Sequence, residues 1–236
     1  MLHYNVSELI NTINKYFDFD KQDYFGEESF YSFFKNDNND EYLIPGFRYV
    51  YGATKLCLIP IEDSDYVIKI PFFGNDESYE FYGAKNSQNN WDYCLTEAEI
   101  YNKAVEDGID FLFAETHLFY SKNGFNFYIQ QRCSLEYDID ISKIFKINRG
   151  DYTVNKYSSR IKDLTNDFSF SINKIFVAVI YKTYGEEIGD KFFKFLYHND
   201  ISDLHSGNCG FTANNKPILI DFSSYNESSD YDEEEE

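Results

Sequence analysis

Apolar residues recur at helical spacing in residues 6–17, VSELINTINKYF, where Leu9, Ile10, Ile13, Tyr16 and Phe17 share a face and Ser7 is a candidate N-cap. A second apolar patch, Phe30, Tyr31, Phe33 and Phe34, comes after Gly26 and precedes a polar, turn-rich break at residues 36–41. Residues 1–44 are therefore expected to form a helical extension packed on the segment after it. From Phe47 the pattern changes to short runs rich in Val, Ile and aromatics: FRYVY, then KLCLIPI, then YVIKIPFF, separated by Gly52-Ala53-Thr54 and by the polar residues 62–65. Such runs with turn residues between them predict three antiparallel strands. Past an Asn-rich loop at residues 86–90, the stretch LTEAEIYNKAVEDGI spaces Leu95, Ala98, Tyr101, Ala104 and Val105 as a helix, with Thr96 as a cap and Gly108 as a stop. FLFAETHLFYS and FNFYIQQ, joined through Asn123-Gly124, carry the signature of a β-hairpin.

The pattern weakens over residues 134–168, a polar mixture with the basic residues Lys143, Lys146, Arg149, Lys156, Arg160 and Lys162. It reads either as a solvated insertion or as a docking segment for an acidic substrate. Two helices are predicted next, SINKIFVAVIYKTY closed by Gly185 and EEIGDKFFKFLYH, leading into YHNDISDLHSGNCGFTANNKPILIDFSSY. In that last stretch, Cys209 to Phe211 and Pro217 to Ile220 are expected to pair across TANNK and bring Asp221 back toward Asp203 and Asn208.

Composition bounds the rest. With 236 residues and 43% hydrophobic content, the chain has enough apolar surface for one large domain or two small lobes. The formal net charge of −20 implies repulsion from nucleic acid and anionic membranes. A solvated acidic surface with a disordered tail at residues 227–236 is one reading, and a basic partner or mimicry of nucleic acid is the sharper one. No apolar run reaches membrane-spanning length and the N-terminus lacks a signal-peptide layout, so a cytoplasmic protein is expected. Cys57, Cys94, Cys133 and Cys209 are widely spaced, which predicts reduced, buried thiols and no zinc site. His3, His117 and His198 are scattered and suggest no metal cluster.

A phosphoryl-transfer site must hold a polyanion, neutralise it with a divalent metal through oxygen ligands and orient an attacking hydroxyl. Asp203 suits the last task, with Asn208 and Asp221 as Mg²⁺ ligands, and Ser206-Gly207 permits the tight turn between the first two. Lys69, within a Val-Ile-Lys-Ile run, either snorkels to an edge or meets a carboxylate or phosphate. Asp203-Leu204-His205, Asn208 and the later Asp221-Phe222 resemble the catalytic and metal loops of protein-kinase-like phosphotransferases, and look most like the aminoglycoside and choline kinase branch.

That resemblance implies an α+β, bilobal protein-kinase-like fold, with an antiparallel N-lobe sheet over residues 45–131 and a reduced helical C-lobe over residues 132–226. It further implies ATP and Mg²⁺ as cofactors, Asp203 as the base, and Lys69 on the phosphates with Glu97 as its partner. Glu99 is the alternative partner; it points about 200° away around the helix, so only one of the two can face Lys69. Gly52 and Thr54 would cover the phosphates, Gln130, Gln131 and Arg132 would sit at the adenine hinge and act through their main chain, and His205 would support the catalytic loop. The sequence departs from the pattern in three places: no G-x-G-x-x-G is present, Ile201 stands two before Asp203, and Ser223 comes after Phe222. Only residues 222–236 lie beyond Asp221, so no activation segment or large substrate platform is expected. The acceptor is left open between a protein hydroxyl and a small molecule, and the short build is similar in style to phage or mobile-element proteins. The rival reading is a catalytically silent scaffold that engages a basic or nucleic-acid-binding partner through its acidic surface.

Overall fold

The computed structural model describes residues 4–20, 34, 44–51, 55–62, 64–71, 92–135, 138–148, 152–165 and 171–223. Among these residues the fold is α+β, built on a five-stranded antiparallel sheet in the order β1-β2-β3-β5-β4. The strands are β1 (Phe47–Tyr51), β2 (Lys55–Pro60), β3 (Tyr66–Pro71), β4 (Thr116–Lys122) and β5 (Phe125–Gln131). Asn123 and Gly124 close the β4/β5 hairpin, both at positive φ (51° and 84°), as a two-residue turn matched to strand twist requires.

Strand alternation gives the sheet two different faces. Leu56 and Leu58, Ile68 and Ile70, and Phe125, Phe127 and Ile129 all project to one face and are buried there. Helix α1 (Val6–Tyr16) covers it with Leu9 and Ile13, and the Phe17 ring meets Phe125 and Phe127 at 4.9 and 5.3 Å in edge-on contacts. The cap of α1 is Asn5, whose side chain accepts from the Glu8 amide at 3.2 Å, whereas Ser7 already lies inside the first turn. Of the second apolar patch, Phe34 is buried against Phe17, while Phe30, Tyr31 and Phe33 lie outside the described residues.

The opposite face carries Lys55, Cys57, Lys69, Tyr128 and Gln130, and helix α2 (Tyr93–Glu106) crosses it. Asp92, not Thr96, caps α2: one carboxylate oxygen accepts from the Leu95 amide at 2.9 Å. Its other oxygen accepts from Tyr128 Oη at 2.6 Å and from Asn126 Nδ2 at 2.9 Å, so a single residue starts the helix and pins it to β5. The helix starts two residues earlier than expected and ends before Gly108, at φ 66°. Its buried stripe includes Cys94, Glu97, Ala98, Tyr101 and Ala104, while Leu95 and Val105, expected on that stripe, are exposed.

The remaining chain forms a second core around Phe113, Phe176, Phe192, Phe193, Phe211 and Phe222. It is built from α3 (Ile141–Phe145), α4 (Tyr152–Leu164) and α5 (Lys174–His198), with short strands β6 (Ser134–Leu135), β7 (Ser171–Ile172), β8 (Asp203–Leu204), β9 (Cys209–Phe211) and β10 (Pro217–Leu219). Gly185, at φ 84° and ψ 173°, breaks α5 where the two expected helices meet. The described part of residues 134–168 is packed and not a solvated insertion: β6 extends the β9/β10 hairpin, and Val154 and Ile161 bury one side of α4 against α5. The basic side of α4 is partly neutralised by α5, through Lys156 to Glu186 at 2.7 Å and a bidentate Arg160 to Asp190 pair at 2.6 and 2.5 Å. Lys156 and Arg160 are therefore engaged within the protein, and Arg149 lies outside the described residues.

Candidate active site

Glu97 is fully buried in the middle of α2 and receives three donors from the sheet beneath it. Lys69 Nζ donates to Oε2 at 2.7 Å, Gln130 Nε2 to the same oxygen at 3.2 Å, and Lys55 Nζ to Oε1 at 2.6 Å. Register explains the convergence, because Cys57 faces Lys69 across the β2/β3 ladder and Lys55 lies two residues from Cys57 on the same face. Gln130 also donates to Thr116 Oγ1 at 2.8 Å, which fixes the amide orientation. Of the two candidate partners for Lys69, Glu97 is thus the one engaged, and Glu99 is exposed.

The fourth charged member of the cluster is Asp221. Lys55 Nζ donates to its Oδ1 at 2.9 Å, and Lys69 Nζ donates to the carbonyl of the preceding Ile220 at 3.0 Å. The backbone around Asp221 is held from several sides. Ala114 donates to the Leu219 carbonyl at 2.8 Å, Ile220 donates to the Asn208 carbonyl at 2.9 Å, and Phe222 is buried edge-on against Phe113 at 5.2 Å. The Asp221 side chain remains about 35% exposed, so it is the member of the cluster that faces the solvent.

Two ammonium groups and two carboxylates make this cluster formally neutral, which is what permits its burial. Burial disfavours the charge on Lys55, yet Asp221 and Glu97 reverse this and hold its ammonium well above the usual lysine range. Burial likewise pushes the Asp221 carboxyl up, but Lys55 and Lys69 override it and keep it well below the ordinary carboxylate range. The Glu97 carboxyl is raised by its burial, against the pull of Lys55 and Lys69. Beside them, burial lifts the Cys94 thiol well above its ordinary value, so this cysteine is a packed thiol and not a nucleophilic thiolate.

Asp203 and Asn208 occupy the loop after α5. Pairing of β8 with β7 in parallel register, Ser171 opposite Asp203, anchors the loop start, and the buried side chains of Ile201 and Leu204 hold it to the second core. Asn208 Nδ2 donates to the Asp203 carbonyl at 3.0 Å and closes the loop on itself. The Gly207 amide donates to His205 Nδ1 at 2.9 Å, which places the proton of the neutral imidazole on Nε2. That atom lies 3.5 Å from Asp203 Oδ2. A Cβ at residue 207 would sit 2.7 Å from His205 Cε1, so glycine is needed for this approach of the ring.

Whether the residues suit a divalent cation can be judged from their free acceptors. Asn208 is buried to about nine-tenths, and its Oδ1 has no hydrogen-bond donor among the described residues; the Asp221 carboxylate accepts from Lys55 and Ser223 through Oδ1 and lies against Glu97, yet keeps a solvent-facing side. An amide oxygen and a carboxylate oxygen are hard donors that fit Mg²⁺, which commonly takes one or two protein ligands and completes its shell with phosphate oxygens and water. Among the described residues no group of three or more His, Cys, Asp and Glu side chains could hold a metal by itself.

The other expected site residues are spread more widely. Gln130 is buried under Glu97 by its side chain, and the Gln131 and Arg132 amides donate to the Glu115 and Asp65 carbonyls at 2.8 Å each. Gly52 and Thr54 lie outside the described residues. Lys55 was missed by sequence reasoning, although the burial of Leu56 and Leu58 on one face required it to share the other face with Lys69. No helix among the described residues is long and apolar enough to cross a membrane. No protein-family model matches the chain, and none of the curated proteins matches it.

Proposed function

We propose that the protein is an ATP- and Mg²⁺-dependent phosphotransferase of bilobal, protein-kinase-like build, acting on an alcohol of a protein or a small molecule. One observation carries the reading: Lys69, on the third strand of the antiparallel sheet, is held by the buried Glu97 of α2 and at the same time bonds the carbonyl next to Asp221. An ammonium fixed in this way is positioned to bind a phosphate rather than to wander as a surface lysine. Asn208 and Asp221 would hold the metal, whose chemistry is to neutralise charge on the phosphate oxygens. Asp203 would orient the acceptor hydroxyl and take its proton, with His205 Nε2 and the Asn208 side chain fixing the loop around it.

A second reading is favoured by a specific contact, since the Lys55 ammonium already sits on Asp221, the carboxylate that would bind metal. On that reading the protein is a catalytically silent scaffold that acts through its acidic surface on a basic or nucleic-acid-binding partner. Incubation with Mg²⁺ and γ-labelled ATP separates the two. Label transferred to the protein itself, to an added extract or to small alcohols, and lost in Asp203→Asn with its thermal midpoint unchanged, supports the enzyme. No transfer together with no nucleotide-dependent thermal stabilisation eliminates it.

A further inference from the structure

Lys55 is the residue of this cluster that the proposed chemistry does not need, and its placement is unusual. It is about 4% exposed, it stands at the first position of β2, and its Nζ spans Glu97 Oε1 and Asp221 Oδ1 at 2.6 and 2.9 Å. A cation there and a divalent ion on Asp221 draw on the same carboxylate. Were a metal alone to enter, two ammonium groups and a doubly charged ion would face only two carboxylates among largely buried side chains, an unbalanced arrangement in low dielectric. A polyphosphate supplies the missing negative charge and gives Lys55 a new partner as it leaves Asp221.

Resting on the phosphotransferase reading, we infer that Lys55 is a resident counter-ion of Asp221 that excludes free divalent metal and admits it only together with a polyphosphate. Lys55 thereby acts as a positioning residue that makes metal and nucleotide binding mutually dependent. Lys69 does not duplicate it, because its second hydrogen bond goes to the Ile220 carbonyl and not to the Asp221 side chain. Glu97 Oε2 keeps both of its donors, Lys69 and Gln130, when Lys55 is replaced, while Oε1 loses its own.

The test uses the full chain with Mn²⁺ alone as one probe, monitored by its magnetic resonance signal, and ATP in excess chelator as the other, monitored by calorimetry. In Lys55→Met, affinity for Mn²⁺ alone should rise at least ten-fold while affinity for metal-free ATP falls at least ten-fold. A merely structural role would move both in the same direction. Lys55→Arg keeps the charge and should retain the weak Mn²⁺ binding of the wild type, and Asp221→Asn should bind Mn²⁺ weakly in either background. If Lys55→Met does not fold, the wild type still decides: Mn²⁺ alone should bind at least ten-fold more weakly than in the presence of saturating ATP, with metal chelation by free ATP subtracted. Mn²⁺ affinity unchanged or lowered in Lys55→Met, with ATP still bound by the wild type, overturns the role of Lys55 and leaves the phosphotransferase reading standing. Absence of both Mn²⁺ and ATP binding in every variant overturns the two together.

Discussion

The two faces of the five-stranded sheet are buried to a similar degree by opposite means. One face is covered by α1 and its fully buried core is Leu, Ile and Phe, including Leu56, Leu58, Ile70 and Phe127, with tyrosines such as Tyr120 packed at its margin. The other is sealed by α2, yet it encloses Lys55, Lys69, Glu97 and Gln130, all less than 6% exposed. Apolar burial stabilises by roughly 25 cal/mol per Å² and tolerates imprecise geometry. A buried ion cluster, by contrast, is near neutral in net stability and fails when one partner is lost. The fold thus relies on the α1 face for stability and keeps the α2 face in a state that only a specific set of partners supports.

The strongest way to break this contrast is Glu97→Ala, which leaves the Lys69 ammonium buried without a carboxylate and Lys55 with Asp221 alone. The expected loss is about 3–5 kcal/mol by urea denaturation, whereas Glu99→Ala, exposed on the same helix, should stay within about 0.5 kcal/mol. Equal effects for the two would mean that the α2 face is not organised by ion pairing. Phe127→Ala sharpens the contrast from the other side. It removes a ring packed by Phe17, Phe19 and Tyr120 and should cost about 3 kcal/mol. Because Phe127 points away from Lys69, the nucleotide-dependent thermal stabilisation that the phosphotransferase reading predicts for the wild type should persist in this variant at temperatures where it is folded. Its disappearance there would show that the two faces are not separable.

Local signals made much of this legible in the sequence. The run boundaries of β1, β2 and β3, the Asn123-Gly124 turn and the Gly185 break each depend on residue types whose conformational preferences are strong over a few positions. Caps were less legible, since Asn5 and Asp92 compete with nearby Ser7 and Thr96 for the same duty, and tertiary bonds decided in the case of Asp92. Helix α4 was hidden because it buries only a narrow side, Val154 and Ile161 a heptad apart, and offsets its polar remainder with charges supplied by α5. Lys69, Glu97 and Asp221, which the structure brings together, could be picked out by their order along the chain. Lys55 could not, because a lysine beside a turn reads as solvated until the strand register places it under α2.

A third charged region tests whether burial, and not charge pairing as such, makes the α2 face demanding. The α4/α5 pairs have comparable hydrogen-bond lengths, with Arg160 bidentate on Asp190 and Lys156 on Glu186, but Lys156 and Glu186 are more than 40% exposed. Surface pairs of this kind are screened by water and salt, so Arg160→Ala should shift the urea midpoint less than either Glu97→Ala or Phe127→Ala. Its pH dependence has a definite sign. The hydrogen bonds from Arg160 lower the Asp190 carboxyl below its ordinary value despite partial burial. The stabilisation is therefore present above the unfolded-state value of about 3.9 and is lost as the pH falls through the lower folded-state value. The midpoint difference between wild type and Arg160→Ala should accordingly be constant from neutral pH down to about 5 and close below about 4. A difference as large as that of Glu97→Ala, or one that persists unchanged into acid, would place the Arg160 guanidinium in a structural role that ion pairing with Asp190 does not account for.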